Sequence, residues 1–379
     1  MPIYRIDGKK DGLQRYHVRI NYISDNGKPK QLTRTAYGLE AAKDLESKLN
    51  NGLKNNGETP IKRMTVEQLF EEYKAVKRYE IREVTLKKYK EIYEYYISPA
   101  FRDTRIDKIT VTLLRDWKLS IEEKELSVCT KRHAFGGLRA LLNYAVEMEY
   151  LPKNPLQKIK NFKDSSSIKP EMSFYTPEEF KLFIDAAKRI ATKRQEKNRD
   201  LSEWNFYVFF NIAFYTGLRK GEIHALKWSD INGSYLSVKR SIAQKLRGED
   251  RETLPKNSSS IRTLQMPLPL IKVLDEHKER QTQYNGFNDD YRICGGERCL
   301  RDTTLQKRNE LYATSSGVKV IRIHDYRHSH VSLLANEGIN IQEIARRLGH
   351  SKIEMTWNTY SHLYPREEER AVEILNKIA

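Results

Sequence analysis

The chain has 379 residues, 39% of them hydrophobic, and 68 Lys and Arg outweigh 51 Asp and Glu to give a net charge of +17 and a pI near 9.5. The length exceeds one ordinary domain of roughly 100–200 residues and implies two or three. The apolar content excludes a disordered chain, and the charge points to a polyanion as partner, because a basic surface releases the counterions condensed on nucleic acid.

Residues 1–62 form a first unit of basic α+β character. The N-terminus has no apolar core of the kind a secretion signal needs, and no run approaches the roughly 18 residues that span a bilayer, so no membrane role is expected. In RYHVRINYI the residues alternate, with Tyr16, Val18, Ile20 and Tyr22 on one face and His17, Arg19 and Asn21 on the other, the period of a half-buried strand. Asn26-Gly27 is a hairpin signal, QLTRTAYG is the returning strand, and an amphipathic helix runs from about Leu39 to Leu53. Residues 1–63 carry 13 Lys and Arg against 7 Asp and Glu, so one face of this sheet is a candidate for DNA contact.

Residues 63–160 read as an all-α bundle. Thr65 and Gln68 make a capping box, and Val66, Leu69, Phe70 and Tyr73 fall on one helical face. Further helices are expected over TLKKYKEIYEYYI, TVTLLRDWKLSIEEK and TKRHAFGGLRALLNYAVEMEYL, the last stopped by the prolines of PKNP. The polar, aperiodic residues 161–174, with Ser165-Ser166-Ser167, read as a linker.

Residues 175–379 begin with Thr176 as N-cap, Pro177 at the first helical position and Glu179 at the third. Helices, a strand-rich patch from about Tyr235 to Pro267, and more helices follow, a mainly helical α+β unit with a small antiparallel sheet. Cys294 and Cys299 in CGGERC lack a second ligand pair, so with Cys129 they read as ordinary thiols of a reducing cytoplasm rather than a metal site or a disulfide framework.

Polar groups crowd four places in this unit. TGLRKGE sets Arg219 near a helix start with Glu222 one turn on, and Lys256 sits at the edge of the NSSS turn. HDYRHSHVSLL puts His324 and Arg327 three residues apart, on one helical face. In LGHSKIEMTWNTYSH, His350 follows Gly349 and Tyr360 lies ten residues on. Residues 322–362 hold five of the nine histidines.

In this order and at these spacings the boxes resemble the catalytic set of the tyrosine recombinases, the phage integrase family, and most nearly the integrases of Gram-positive phages and integrative conjugative elements. The three-unit layout is similar too. The resemblance implies a site-specific recombinase that cuts DNA through a 3′-phosphotyrosyl bond and exchanges strands through a Holliday junction, without ATP, cofactor or metal. It casts Tyr360 as nucleophile and Arg219 and Arg327 as the clamp on the phosphate oxygens, a task suited to guanidinium geometry. Lys256 is then the general acid to the leaving 5′-oxygen, His324 a general base or phosphate partner, His350 a phosphate donor, and Glu222 a residue that orients Arg219. His328, His330 and His362 match no catalytic position and read as packing or DNA-contacting.

The implied partners are double-stranded DNA attachment sites, with arm sites for residues 1–62 and core sites for 63–160. Three further copies would complete a homotetramer whose C-terminal helix, striped by Ala371, Val372, Leu375 and Ile378, docks in trans, and an excisionase and a DNA-bending protein would assist. A Xer-type resolvase shares the catalytic set but fits residues 1–63 poorly. A type IB topoisomerase shares the chemistry without the site requirement. A non-catalytic DNA-binding regulator would have no need of the nucleophile.

Overall fold

The computed structural model describes residues 3–23, 29–55, 59–60, 64–163, 172–242, 252–253 and 260–363, with Val372, Leu375 and Asn376 beyond them. The chain is multidomain and mostly helical, with small antiparallel sheets, and it divides into two compact units, Met1–Ile168 and Lys169–Ala379.

The first unit holds two hydrophobic clusters. One lies under an antiparallel sheet of β1 (Ile3–Lys10), β2 (Leu13–Ile23) and β3 (Pro29–Tyr37), with a two-residue β4 (Thr59–Pro60) on β2. Val18 and Ile20 are buried while Arg19 is exposed, as alternation requires, and helix α1 (Leu39–Asn55) adds Ala42 and Leu53. Strand β1 carries no such alternation and was not expected. It pairs with β2 through a turn at Asp11-Gly12, both at positive φ (51° and 80°), the two-residue hairpin geometry that favours Asp-Gly. The Asn26-Gly27 turn lies outside the described residues, but β2 and β3 pair from Arg15↔Tyr37 to Ile23↔Pro29.

The second cluster is the core of a helical bundle. Thr65 caps α2 (Val66–Glu80) in the expected box, and Val66, Leu69, Phe70 and Tyr73 are all buried. Helix α3 (Glu83–Ile92) runs through a π-helical turn, Tyr93–Ile97, into α4 (Ser98–Phe101). Helices α5 (Val111–Glu122) and α6 (Val128–Glu147) complete it, Trp117 and Phe135 facing inward. Contrary to expectation, α6 ends before the prolines: Glu149 turns to φ 57°, and the Tyr150 and Leu151 N–H groups both bond the Ala145 carbonyl. A left-handed residue closes the helix, as in common C-caps.

In the second unit α7 (Pro177–Asn198) starts at the predicted Thr176 capping box. Helix α8 (Ser202–Thr216) is buried on nearly every side, its Phe209 and Phe210 packed with Phe183, Tyr312 and Tyr326. A helix apolar all round is a core element, and here its C-terminal end supports the polar cluster described below. After α9 (Lys220–Ala225) come β5 (Ile231–Asn232), β6 (Tyr235–Val238), β7 (Ser241–Ile242), β8 (Glu252–Thr253) and β9 (Arg262–Gln265). They form the antiparallel sheet β5-β6-β9 and the pair β7-β8. Helices α10 (Leu268–Gln281), α11 (Asp302–Ser316), α12 (Asp325–Asn336), α13 (Ile341–Leu348) and α14 (Ile353–Tyr360) follow. Cys294 and Cys299 are buried free thiols.

Candidate active site

Helix ends build the cluster. Helix α8 terminates at Gly217 in the left-handed conformation (φ 64°), where a Cβ would sit 2.7 Å from the His330 ring, so both the backbone angle and the space demand glycine. The chain then turns through buried Leu218 and presents Arg219 as the cap of α9. The Glu222 carboxylate accepts from the Arg219 backbone N–H (3.0 Å) and from its Nη1 (2.9 Å). An arginine tied at both ends to one buried carboxylate has little freedom, and its remaining donors point along a defined direction.

Glu222 has a second guanidinium that the sequence reading did not single out. Arg262, at the start of β9, donates Nη2 to Glu222 at 2.9 Å, Nε to the Arg347 carbonyl at 2.7 Å and Nη1 to the Ser260 carbonyl at 3.0 Å. Its side chain is only 5% exposed and that of Glu222 only 4%. Burial pushes the Glu222 pKa upward, but the Arg262 hydrogen bond and the charges of Arg262 and Arg219 outweigh it and hold the carboxyl below its ordinary range.

Arg327, in the first turn of α12, is buried. Its Nη1 donates to the Gly217 carbonyl (2.9 Å) and its Nη2 to the Leu348 carbonyl (2.8 Å), the last residue of α13. Arg219 Nη1 reaches the same Leu348 oxygen at 3.5 Å. Burial first, and the neighbouring Arg219 charge second, lower the Arg327 pKa to about 9, which leaves it a cation at neutral pH. Two guanidiniums thus converge on the end of one helix.

His350 lies just past the left-handed Gly349. Its Nε2 accepts from Arg327 Nη2 at 2.7 Å, which requires Nδ1 to carry the proton given to Thr356 Oγ1, also at 2.7 Å. Burial and the charges of Arg327 and Arg219 lower its pKa to about 4. Expected as a phosphate donor, it is here a neutral acceptor for Arg327. His324 precedes α12, and its ring nitrogens make no hydrogen bond among the described residues. Burial, then Arg327, lower its pKa.

Tyr360 ends α14 and is 3% exposed. Its ring packs with Val331, Ile344 and Leu348, and burial raises its pKa to about 12, against the lowering pull of Arg327. Its hydroxyl lies 2.7 Å from Nδ1 of His328. The sequence offers His328 only as a packing or DNA-contacting residue; the fold sets it on the Tyr360 hydroxyl. His330 does pack: it is buried against Gly217, with Nδ1 on the Phe214 carbonyl at 2.9 Å. Lys256 and residues 257–259 of the NSSS turn lie outside the described residues, as does the side chain of His362.

Of the predicted set, then, Arg219, Glu222, His324, Arg327, His350 and Tyr360 come together from α9, α12, the α13 end and α14. The profile of the Phage integrase family matches residues 174–367, just over half of the chain, and contains all six. The chain belongs to the phage integrase family. It is a tyrosine-type site-specific DNA recombinase. A second profile, the phage integrase N-terminal SAM-like domain, matches residues 65–118 of this integrase. The ICEBs1 integrase of Bacillus subtilis is 27% identical over 96% of this chain and 97% of its own length. A XerC-like tyrosine recombinase of Caldanaerobacter subterraneus is 28% identical over 97% of each chain, so the presence of residues 1–63 does not by itself set a Xer-type name apart. Among solved structures the Tn1549 transposon integrase, in complex with transposon right end DNA, shares the fold with a TM-score of 0.62, 20% identity and coverage of 83% of this chain and 100% of that one. A lambda integrase tetramer bound to a Holliday junction superposes with a TM-score of 0.54 and 16% identity over 93% of this chain and 96% of that one.

Proposed function

We propose that this integrase inserts and excises its mobile element at double-stranded attachment sites, with Tyr360 as the nucleophile and Arg219 and Arg327 as the phosphate clamp. The observation that carries this reading is the convergence of both guanidiniums on the Leu348 carbonyl, with His350 beside them and Tyr360 ending the adjoining helix. A scissile phosphate that replaces that carbonyl receives preorganised charge-assisted bonds on its nonbridging oxygens, where negative charge accumulates in the transition state. Tyr360 Oη bonds to phosphorus, the P–O5′ bond breaks, and the energy of the broken bond is kept in the phosphotyrosyl link, so religation to another strand needs no ATP. Lys256 protonates the departing 5′-oxygen.

His324, whose nitrogens make no hydrogen bond among the described residues, donates to a nonbridging oxygen. His350 joins it once the phosphate draws Arg327 away from Nε2 and that nitrogen takes up a proton, since a lone pair there could only repel the oxygen. Glu222 fixes Arg219 in both states. Residues 1–62 bind arm sites, residues 63–160 embrace the core site, residues 161–174 link these to the catalytic residues 175–379, and the basic balance of the chain supports such contacts. Four copies act together on two duplexes in the cytoplasm. The C-terminal helix, most of which lies outside the described residues, is exchanged in trans, and an excisionase and a DNA-bending protein set direction.

The test incubates the full chain, without metal or ATP, with a nicked duplex carrying the DNA end that flanks this gene. The expected product is a covalent adduct that maps to Tyr360 and is lost in Tyr360→Phe while binding persists. An adduct that survives that substitution would move the nucleophile elsewhere.

A further inference from the structure

Activation of the nucleophile is the step the predicted set leaves without a contact. Tyr360 is buried with its pKa at about 12, so its hydroxyl is protonated at neutral pH and must lose that proton as it attacks. His324 makes no hydrogen bond to it. The side chain that does is His328, one residue after Arg327, with Nδ1 2.7 Å from the hydroxyl.

The other side of the His328 ring faces a carboxylate. Asp325 lies one turn earlier on α12, its side chain 2% exposed, and its Oδ1 stands 3.9 Å from His328 Nε2. The Asp325 carboxylate is held by its other oxygen, Oδ2, which accepts from the Arg322 backbone N–H at 3.0 Å and Nε at 3.1 Å. Oδ1 is buried with no hydrogen-bond partner among the described residues. A buried, unsatisfied carboxylate oxygen favours the tautomer whose N–H points at it, so the proton belongs on Nε2 and the lone pair on Nδ1, facing Tyr360. Such bonds are commonly long before substrate arrives.

We infer that His328 is the general base for Tyr360, oriented by Asp325 as a positioning residue, an arrangement of carboxylate, imidazole and hydroxyl that recurs wherever a weak oxygen nucleophile is activated. This rests on Tyr360 being the nucleophile and reassigns the proton. As Oη bonds to phosphorus, its proton moves to Nδ1, the imidazolium formed is stabilised by Asp325, and the P–O5′ electron pair leaves with the 5′-oxygen. In religation the attacking 5′-hydroxyl gives its proton back to the group that protonated the leaving oxygen and displaces Tyr360, to which His328 returns its proton.

The charged and titratable groups around the ring are His324, at 5.3 Å between centroids, Asp325, Arg322, Arg327 and Tyr360 itself. Burial, then His324, with the arginines, outweigh Asp325 and lower the His328 pKa to about 4. The ring is therefore neutral, with its lone pair available, throughout the physiological range. A phosphate placed against Arg219 and Arg327 offsets the depressing charge and raises its basicity when the base is needed.

The experiment is single-turnover cleavage by the full chain on the nicked duplex above, comparing wild type, His328→Ala and His328→Gln, with gel-shift binding to the same duplex confirming that each variant is folded. The expected loss is about a hundredfold or more, the range that general-base removal gives. The residual rate should rise with hydroxide concentration from about pH 6 to about pH 9, where wild type is flat, and added imidazole should restore part of it in His328→Ala. A substrate with sulfur in place of the 5′-bridging oxygen leaves without a proton and should not rescue either variant. Variant rates within about threefold of wild type, or full rescue by that sulfur substrate, would overturn the assignment. Loss of the adduct in Tyr360→Phe tests the underlying reading separately, and absence of a wild-type adduct would remove both.

Discussion

Replacing Glu222 by Gln keeps the size of the side chain and deletes the charge that both Arg219 and Arg262 hold. Arg262, at 5% exposure, would keep its bonds to the Ser260 and Arg347 carbonyls and lose its only counter-charge among the described residues. Stranding one member of a buried pair costs about 3–5 kcal/mol, whereas deleting both in favour of apolar groups of similar volume is often nearly neutral. Glu222→Gln and Arg262→Met are each therefore expected to lower unfolding free energy by about 3–5 kcal/mol, and Glu222→Met combined with Arg262→Met by much less than their sum. Urea titration followed by tryptophan fluorescence is the assay, since Trp204, Trp228 and Trp357, three of the four tryptophans, lie in the second unit. The pH dependence has a fixed sign. The Glu222 pKa is depressed in the folded state, so its contribution is complete above the ordinary carboxylate range and disappears as pH falls through the lower folded value. Glu222→Gln should flatten that part of the acid limb. Additive costs in the double variant would refute a shared buried network.

His277, His328 and His350, with pKa values lowered to about 4, and His330, lowered to about 3, are neutral in the folded protein mainly because they are buried. The unfolded chain takes up their protons from about pH 6.5 downward, so stability should fall as pH drops from about 6.5 toward 4, and denaturant midpoints at successive pH values would show a plateau instead if the burial were wrong. Gly217→Ala should destabilise by about 1–3 kcal/mol through its positive φ alone, more if His330 cannot yield, and should slow cleavage because the Gly217 carbonyl also holds Arg327. An unchanged thermal midpoint and rate would refute that coupling.

Local signals made much of this legible in the sequence. The Thr65 and Thr176 capping boxes and the alternation from Tyr16 to Tyr22 depend on residues within a few turns of one another, whereas Arg219, His324, Arg327, His350 and Tyr360 are far apart in the chain and legible as a set only because their short boxes resemble those of a known family. Arg262 was not legible because an arginine at a strand start is unremarkable. Only the pairing of β9 with β6, and a contact spanning 40 residues to Glu222, give it meaning. His328 had a fainter sign, since Asp325 sits three residues before it on the same helical face, but nothing local said that α14 would bring Tyr360 against the other ring nitrogen. The end of α6 is hidden in the sequence because Pro152 and Pro155 are conspicuous stop signals, whereas the non-glycine Glu149 gives no hint that it adopts the left-handed turn that ends the helix.

The carbonyls of Gly217 and Leu348 stand at the C-terminal ends of two helices, where backbone dipoles leave partial negative charge. Facing Arg327, and at Leu348 Arg219 as well, they take the place that the proposed clamp would give to an anion. Like charges that would otherwise push one another aside stay in register within the protein alone. On the proposed reading, engaging a phosphate would be an exchange of one oxygen for another on a finished template, and the geometry of the clamp would be a property of the fold rather than of the DNA.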